Sequence, residues 1–427
     1  MNLNALISPA VGERRIWLRV GTLVDGVSTA PVHRANVVYD SKGILFAGAD
    51  LPPRDLLRAT RTEPDHELPQ FTLLPGLTDA HTHHFLEGGE LDPDKRTEFL
   101  KQTPAQLTEH ARRRLEKLVR LGVTATRDCG DKDGVGLALS RLNESADRPH
   151  MPYVDSPGAA IHHRGRYGSF MAEPFEDCLT ARQCVEARVK AGADRIKLIP
   201  TGIINFKKGA VTAAPQMSAE RIAEFVAAAK EFGKQTMAHA SGDRGIENVI
   251  EGGVDSIEHG FFVRDDQLAE MRDKQIAWVP TFAPVQRQVD HADWMGWDAE
   301  IVGNLRKILD AHAASLVKAH AMGVQVIAGA DAGSYGVAHG LGLLYELELM
   351  QRAGLSPLAV INSATGAGSK RLAFKEKFGQ IKAGFRSRFI IAHHSPLEDV
   401  GNLRKEKIVV FDGAVFAGGG DVDATGL

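Results

Sequence analysis

The sequence predicts an α/β protein, a (β/α)8 TIM barrel with a small β-sandwich domain formed by its N- and C-terminal segments. The chain has 427 residues, its centre alternates short apolar runs with helix-periodic stretches, and both ends alternate apolar and polar residues. A barrel needs about 250 residues, which leaves room for a second, small domain. We expect 71–372 to form the barrel, and 1–70 and 373–427 to form the small domain.

Eight apolar runs in the central region are assigned to parallel barrel strands, because helical stretches lie between most of them. These runs are 78–83, 123–128, 153–158, 195–200, 235–239, 256–259, 277–280 and 324–330. Several of the predicted helices end at a glycine, a frequent C-terminal signal. The helices are expected at 108–121, 181–191, 218–232, 243–251 and 299–322.

Both ends of the chain have the pattern of short antiparallel strands joined by turns. Residues 17–50 alternate in polarity and are broken by Asp25-Gly26, and 379–416 contain two strand-like runs followed by Asp412-Gly413. We therefore expect the two ends to meet in one sheet domain.

Composition excludes several classes of protein. A hydrophobic content of 43% and a formal net charge of -3 are ordinary for a globular enzyme and do not indicate a nucleic-acid-binding protein. Residues 1–15 show neither a secretory signal nor a membrane anchor. Three cysteines, Cys129, Cys178 and Cys184, fit reduced thiols better than a disulfide framework, so we expect a cytoplasmic protein.

A pair of histidines, His81 and His83, marks the first barrel strand. Side chains two apart on a strand point to the same face and can bind one metal ion. The pair alone is a weak signal in a chain with 17 histidines. Its setting, Pro75-Gly76-Leu77-Thr78-Asp79-Ala80-His81-Thr82-His83, closely resembles the first-strand signature of the amidohydrolase superfamily. The resemblance implies that both histidines bind the more buried metal.

Lys197 lies in the otherwise apolar run Ile196-Lys197-Leu198-Ile199. An unpaired ammonium buried there would cost several kcal/mol, and burial favours the neutral amine, which is the form that can be carboxylated. Segment 192–198 resembles the fourth strand of the binuclear branch of the superfamily, whose lysine carbamate bridges both metals. The resemblance implies a carbamate, derived from carbon dioxide, on Lys197.

Three further residues follow apolar strands, at the end of the barrel where active sites lie. His239 and His259 resemble the fifth- and sixth-strand ligands of the second metal, and Asp331 resembles the eighth-strand aspartate that binds the first metal and transfers the proton. Glu258 should point to the face of its strand opposite His259, so we do not expect it to be a ligand. The implied metal ligands are therefore His81, His83, Lys197, His239, His259 and Asp331.

This ligand set suits two divalent ions, zinc first, about 3.5–4 Å apart. The resemblance implies that a hydroxide bridging the ions attacks a carbonyl carbon, while Asp331 takes up the proton and returns it to the leaving nitrogen. Across about 15–415 the chain is most similar to the imidazolonepropionase-related and Xaa-Pro dipeptidase-related branch. Ser256-Ile257-Glu258-His259-Gly260 is one of the segments that carry this similarity.

Polar residues near the strand ends are candidates for contacts with a substrate. For the arginines, salt bridges or solvation are at least equally good explanations. His339 can instead orient a metal ligand. The candidates are Arg127, His162, His163, Arg164, Tyr167 and His339.

We expect a hydrolase that cleaves the amide bond of a dipeptide or an N-acyl amino acid. Cyclic amides, carbamates and ureas are the alternative substrates, because fold does not select among them. A deaminase ranks lower, since deaminase branches usually lack the lysine matched by Lys197, and a non-catalytic scaffold would have lost ligands. The partners expected are a small-molecule substrate and further copies of the chain, without nucleic acid or membrane.

Overall fold

The computed structural model describes residues 6–57, 61–145 and 150–419, which form a mixed α/β fold. Residues 1–5 and 420–427, parts of the expected end segments, lie outside the described residues. The strands are β1 (Ile16–Leu23), β2 (Val32–Tyr39), β3 (Ile44–Gly48), β4 (His66–Pro75), β5 (Leu77–Thr82), β6 (Val123–Asp128), β7 (Tyr153–Asp155), β8 (Ala160–His162), β9 (Ala172–Pro174), β10 (Ile196–Leu198), β11 (Thr236–Ala240), β12 (Ser256–His259), β13 (Ala277–Val279), β14 (Arg388–Ala392), β15 (Lys407–Phe411) and β16 (Ala414–Gly418).

Helices separate most of the central strands. Two of them, α4 and α10, have the predicted bounds, because each ends where a glycine, Gly192 or Gly323, adopts the left-handed conformation. The helices are α1 (Pro93–Phe99), α2 (Pro104–Leu121), α3 (Val135–Arg141), α4 (Ala181–Ala191), α5 (Ala219–Glu231), α6 (Asp243–Gly252), α7 (Asp265–Asp273), α8 (Ala283–Asp290), α9 (Ala292–Met295), α10 (Ala299–Met322), α11 (Leu341–Arg352), α12 (Pro357–Ser363) and α13 (Gly366–Arg371). Within the described ranges, no helix is both long and apolar enough to cross a bilayer.

The two ends of the chain form one seven-stranded sheet in the order β16-β15-β14-β4-β1-β2-β3. Only β1 and β4 pair in parallel, and the predicted turn at Asp412-Gly413 joins β15 and β16. Buried residues such as Leu18, Leu73 and Ile391 form the core of this sheet. The predicted meeting of the two ends is confirmed, but the described strands make one continuous sheet instead of two facing sheets, so the sandwich is only partly visible.

The central strands are parallel and lie in two sheets, β5-β6-β7 and β13-β12-β11-β10-β8-β9. The predicted eighth strand, 324–330, contributes single bridges and no extended ladder. One bridge, Trp278↔Val326, joins it to β13, and another just beyond it, Thr82↔Ala332, reaches β5. The described residues therefore have the parallel β/α architecture, with the carboxyl ends of the strands on one side.

Candidate metal centre

The six predicted ligands come together at the carboxyl ends of the parallel strands. Lys197 lies on β10, and the others lie at or just after the ends of four further strand segments. All six line one cavity of about 430 Å³. They are His81, His83, Lys197, His239, His259 and Asp331.

The side chains of three of these residues approach one another as the ligands of one ion would. Oδ1 of Asp331 lies 3.6 Å from Nε2 of His81 and 3.5 Å from Nε2 of His83. Potential ligand atoms of the three lie within 4.8 Å of one another. The ring of His259 is centred 4.8 Å from that of His81 and 4.5 Å from that of His239. The histidines thus form a continuous cluster.

Two residues of the cluster have left-handed backbone conformations, with φ of 70° for His259 and 54° for Asp331. Such angles are uncommon outside glycine and concentrate at functional sites. His259 is held by its neighbours, because its carbonyl accepts a hydrogen bond from Nε1 of Trp278 and its Nδ1 lies 2.8 Å from Oγ1 of Thr281.

The expectation that Glu258 and His259 point to opposite faces of their strand is wrong, because the backbone turns at His259. Strict alternation would place these two side chains on opposite faces of β12, but both reach His81 in the interior. Oε2 of Glu258 lies 2.8 Å from Nδ1 of His81. The sequence did contain a sign of this inward face, since the polar Ser256 and Glu258 alternate with the apolar Ile257.

Burial controls the protonation of the histidines. It lowers the pKa of His83 and of His239 to about 3, with Lys197 adding to the effect. Burial also holds the pKa of His81 and His259 well below the usual 6.5. The imidazoles are therefore neutral, as metal binding requires.

Burial acts in the opposite direction on the acid of the cluster. It raises the pKa of Asp331 to about 7, outweighing the hydrogen bond with Ser334 and the charge of Lys197. Its side chain keeps 13% exposure, which faces the cavity. A carboxyl with a pKa near neutrality can both accept and release a proton.

The surroundings of Lys197 indicate whether these six residues fit a metal centre with a lysine carbamate. Its side chain is 2% exposed, and Nζ has no hydrogen-bond partner within the described part of the chain. A buried polar atom without a partner is costly. A lysine carbamate, with two oxygens directed at cations, would remove this cost. The four histidines, Lys197 and Asp331 therefore fit two divalent ions of the zinc type.

Arg127 occupies a different position from the one predicted. It is 0% exposed, and its Nη2 atom donates to both carboxylate oxygens of Glu258 at 2.7 Å. Its Nε donates to the carbonyl of Ala80 and its Nη1 to Ser256. The structure does not place Arg127 at the predicted position of a substrate contact, because this arginine is buried in the protein interior and does not line the cavity.

Of the other predicted substrate contacts, only Tyr167 lines the cavity. Its ring is centred 5.3 Å from that of His239. His339 lies outside the cavity lining, where its ring stacks on His84 and its Nε2 lies 3.0 Å from the carbonyl of Leu86. His339 thus supports the loop that follows β5.

The remaining three candidates, His162, His163 and Arg164, are also outside the cavity lining. His162 is buried at the end of β8, whereas the half-buried His163 pairs with Glu176 and the exposed Arg164 pairs with Asp177. Arg164 therefore forms a salt bridge, which is the alternative explanation that the sequence analysis gave for the arginines.

Sequence reasoning missed most of the cavity wall, because loop residues carry no periodic signal. Apart from the ligands, the wall is mainly apolar and aromatic. Its apolar and aromatic members are Leu86, Leu100, Tyr167, Phe170, Met171, Ile203, Ile204, Phe206, Phe261, Pro284, Val285 and Tyr335, and its polar members are Arg96, Thr97, Ser241, Thr281, Gln288 and Ser334.

Parallel strands with a cluster of histidines and an aspartate at their carboxyl ends are typical of one class of protein, the metal-dependent hydrolases. Residues 72–415 match the model of the Amidohydrolase family. The chain belongs to this family and is a hydrolase acting on carbon–nitrogen bonds.

Relatives extend this similarity over nearly the whole chain. An ochratoxinase of Aspergillus niger is 26% identical over 456 residues, covering 98% of this chain and 91% of the relative. A Xaa-Pro dipeptidase solved with bound methionine in its active site has a TM-score of 0.78 and 25% identity, over 95% of this chain and all of that one. Phenylurea hydrolase B shares the fold, with a TM-score of 0.76 and 17% identity over 94% of this chain and 97% of that chain.

Proposed function

We propose that the protein is a binuclear metal-dependent amidohydrolase that cleaves the amide bond of a dipeptide or an N-acyl amino acid. The observation that carries the proposal is the unpartnered Nζ of Lys197 in a cavity lined by four histidines and Asp331. The relatives agree in chemistry, because one is an ochratoxinase and another a Xaa-Pro dipeptidase.

In this proposal the eight parallel strand segments close into a barrel. His81, His83 and Asp331 would hold one zinc ion, His239 and His259 would hold the other, and carboxylated Lys197 would contribute a ligand group to both. The amine of Lys197 forms its carbamate by adding to carbon dioxide and releasing a proton. When bound, the ions supply activation of a water molecule and polarisation of the substrate carbonyl.

The chain itself positions the substrate and moves the proton. Asp331 accepts a proton from the attacking water and delivers it to the leaving nitrogen as the carbon–nitrogen bond breaks and a carbon–oxygen bond forms. Glu258 holds His81 through Nδ1, so that Nε2 remains free to bind metal. The apolar wall excludes bulk water and strengthens electrostatic interactions at the reacting atoms.

Cyclic amides, carbamates and ureas are the second group of candidate substrates. The ligand cluster would act at a carbonyl carbon bonded to nitrogen, and all three compound types present such a carbon: in a ring in cyclic amides, with an oxygen beside it in carbamates and with a second nitrogen in ureas. A deaminase or a scaffold is less compatible with an intact set of six ligands.

Metal analysis combined with a substrate screen tests the proposal. Protein purified without chelator should contain about two equivalents of zinc per chain. It should hydrolyse members of a dipeptide and N-acyl amino acid library faster than lactams, carbamates or phenylureas. Absence of bound metal would support the scaffold, and preference for ureas or carbamates would support the second group.

A further inference from the structure

One cation stands apart in the wall of the candidate active site. Arg96, on α1, is the only charged residue among the described cavity-lining residues outside the six candidate ligands. None of the ion pairs formed between described residues includes Arg96. The neighbouring Lys95, by contrast, is exposed and pairs with Glu90.

Backbone carbonyls hold the Arg96 guanidinium in place. Its Nη2 donates to the carbonyl of Gly333 at 2.7 Å, and its Nη1 donates to those of Gly88 and Glu90 at 3.3 Å. The guanidinium carbon lies 4.2 Å from the ring centre of Tyr335, which also lines the cavity. The hydrogen-bond and ring partners of this guanidinium are neutral, and the carboxylates of Glu87 and Glu90 act on it electrostatically without forming an ion pair, so it keeps N–H donors and charge for an anion in the cavity.

Arg96 is connected to two of the candidate ligands, Asp331 and His83, through its contact with Gly333. Gly333 follows Asp331 by two residues, and its backbone packs against His83, since a Cβ added there would lie 2.9 Å from the His83 carbonyl oxygen. Arg96 is thus tied to the loop that carries Asp331. An anion bound at Arg96 would therefore lie beside the loop that carries Asp331.

Much of the remaining cavity wall is apolar. Phe170, Ile203, Ile204 and Phe206, which follow the third and fourth barrel strands, contribute to it. Phe170 is 38% exposed and Ile203 is 55% exposed, so large apolar surface remains to be covered. An aromatic or aliphatic group of a ligand would be stabilised by burial against such surface.

Acidic groups are scarce in this wall. Asp331, one of the candidate ligands, is the only carboxylate among the described lining residues. A free dipeptide would bring an ammonium group into the cavity, and no carboxylate outside the candidate ligands lines the wall to pair with it. A blocked, neutral acyl group avoids this cost.

We propose that the substrate is an N-acyl amino acid with a bulky apolar acyl group, whose free carboxylate binds Arg96. This inference rests on the proposed function and narrows it. Hydrolysis breaks the amide bond and adds water across it, which yields the apolar carboxylic acid and the free amino acid.

Three compounds that share one skeleton test the proposal with the zinc-loaded protein. The first is N-(3-phenylpropanoyl)-L-phenylalanine. The second, N-(2-phenylethyl)-3-phenylpropanamide, is a neutral amide that lacks only the carboxylate of the first. The third is the dipeptide L-Phe-L-Phe, which differs from the first only by an added ammonium group. We expect kcat/KM for the first compound to exceed that for the other two by about ten-fold or more. Equal or better turnover of the neutral amide or of the dipeptide would overturn the proposal.

The variant Arg96→Met separates charge recognition from packing of the loops. It should lower kcat/KM for the N-acyl amino acid by about ten-fold or more beyond any decrease that it causes in kcat/KM for the neutral amide. Arg96→Lys should recover part of the loss. Lys95→Met, the matched control on the same helix, should change neither. An equal loss for both compounds would assign Arg96 to loop packing and overturn the proposal.

A protein that does not carry out the proposed amide hydrolysis would give a result distinguishable from the loss of the Arg96 contact. If the wild-type protein hydrolyses none of the three compounds, amide hydrolysis of this class is excluded. Calorimetric titration of the unhydrolysed N-acyl amino acid still tests Arg96. Binding that is about ten-fold weaker in Arg96→Met supports the carboxylate contact, and unchanged binding overturns it.

Discussion

Nδ1 of His81 donates a hydrogen bond to Oε2 of Glu258 across 2.8 Å in the fully buried interior of the fold. Because one ring nitrogen is committed to the carboxylate, the other, Nε2, is the nitrogen that faces Asp331. Arg127 in turn binds both oxygens of Glu258. A chain of three buried groups therefore fixes the orientation of one candidate metal ligand.

Replacing Glu258 with Gln tests this arrangement. The amide keeps the size of the side chain but removes the charge that holds the N–H of His81. We expect zinc affinity to fall by about 10–100-fold, the usual effect of losing such a partner. Competition with a chromophoric chelator measures the affinity. Unchanged zinc binding would mean that Glu258 does not orient His81.

The same variant also leaves the buried charge of Arg127 without a carboxylate. Removing one partner of a buried ion pair costs about 3–5 kcal/mol, so denaturant unfolding of the metal-free variant should show a loss of this size. The double variant Glu258→Gln with Arg127→Met should recover much of the stability but not the zinc affinity. Recovery of both would indicate a purely structural role for Glu258.

Much of the fold was predictable because local patterns determine it. The bounds of β6 and α4 coincide with those predicted, since an apolar run of strand length and a helix with a glycine terminus are strong local signals. The segments β8 and β9 escaped prediction, because three residues are too few to establish a period. The sheet formed by the chain ends was predictable as a meeting of two segments, but its continuity depends on pairing between β4 and β14, which are far apart in sequence.

The candidate ligands could be located from the sequence because each lies in or just after an apolar strand segment that resembles a ligand-bearing segment of the amidohydrolase superfamily, and parallel strands end on one side. The pairing of Arg127 with Glu258 could not be predicted, because the two residues are 131 positions apart and meet only in the folded protein. The left-handed turn at His259 also has no sign in its residue type. Arg96 lies in a short helix within a long loop, where no pattern relates it to the cavity.

Lys197→Met should separate function from stability. Methionine fills a similar volume without the unpartnered amine, so the metal-free protein should gain about 1–3 kcal/mol in its free energy of unfolding. Zinc content should fall below about two equivalents per chain, because no carbamate can form. Denaturant titration and elemental analysis measure the two effects. Lys190→Met, an exposed change on α4, is the control and should alter neither, and full zinc content in Lys197→Met would contradict the bridging role.

Asp331→Asn should lower kcat by about 10²–10⁴-fold, the contribution of a group that transfers the proton. Asparagine suits this position, because it tolerates the left-handed conformation seen at a φ of 54°. We therefore expect the variant to fold and to keep its zinc, as elemental analysis can verify. Steady-state kinetics with any substrate found in the screen measure the loss. An Asn variant with wild-type turnover would rule out proton transfer by Asp331.

Lys407, away from the candidate metal centre, makes the stability of the fold depend on pH. Burial lowers the pKa of its ammonium from 10.5 to about 8, with Arg404 adding to the effect, and Nζ donates to the carbonyl of Leu403. Between these pKa values the unfolded chain binds more protons than the folded chain, so the contribution of Lys407 to stability increases as pH rises.

Lys407→Met removes this dependence. At pH 7 the lysine is protonated in both states, and the fold bears a cost of about 3 kcal/mol for burying the charge. The variant should therefore be more stable than the wild type at pH 7, and this advantage should shrink by about 3 kcal/mol as pH rises to about 10.5. Denaturant unfolding of both proteins across this pH range measures the difference in their unfolding free energies. Groups that titrate identically in the two proteins cancel in this difference. Lys405→Met, an exposed neighbour, should change the unfolding free energy by less than about 0.5 kcal/mol at either pH. A constant difference between wild type and Lys407→Met would show that Lys407 is not the group responsible.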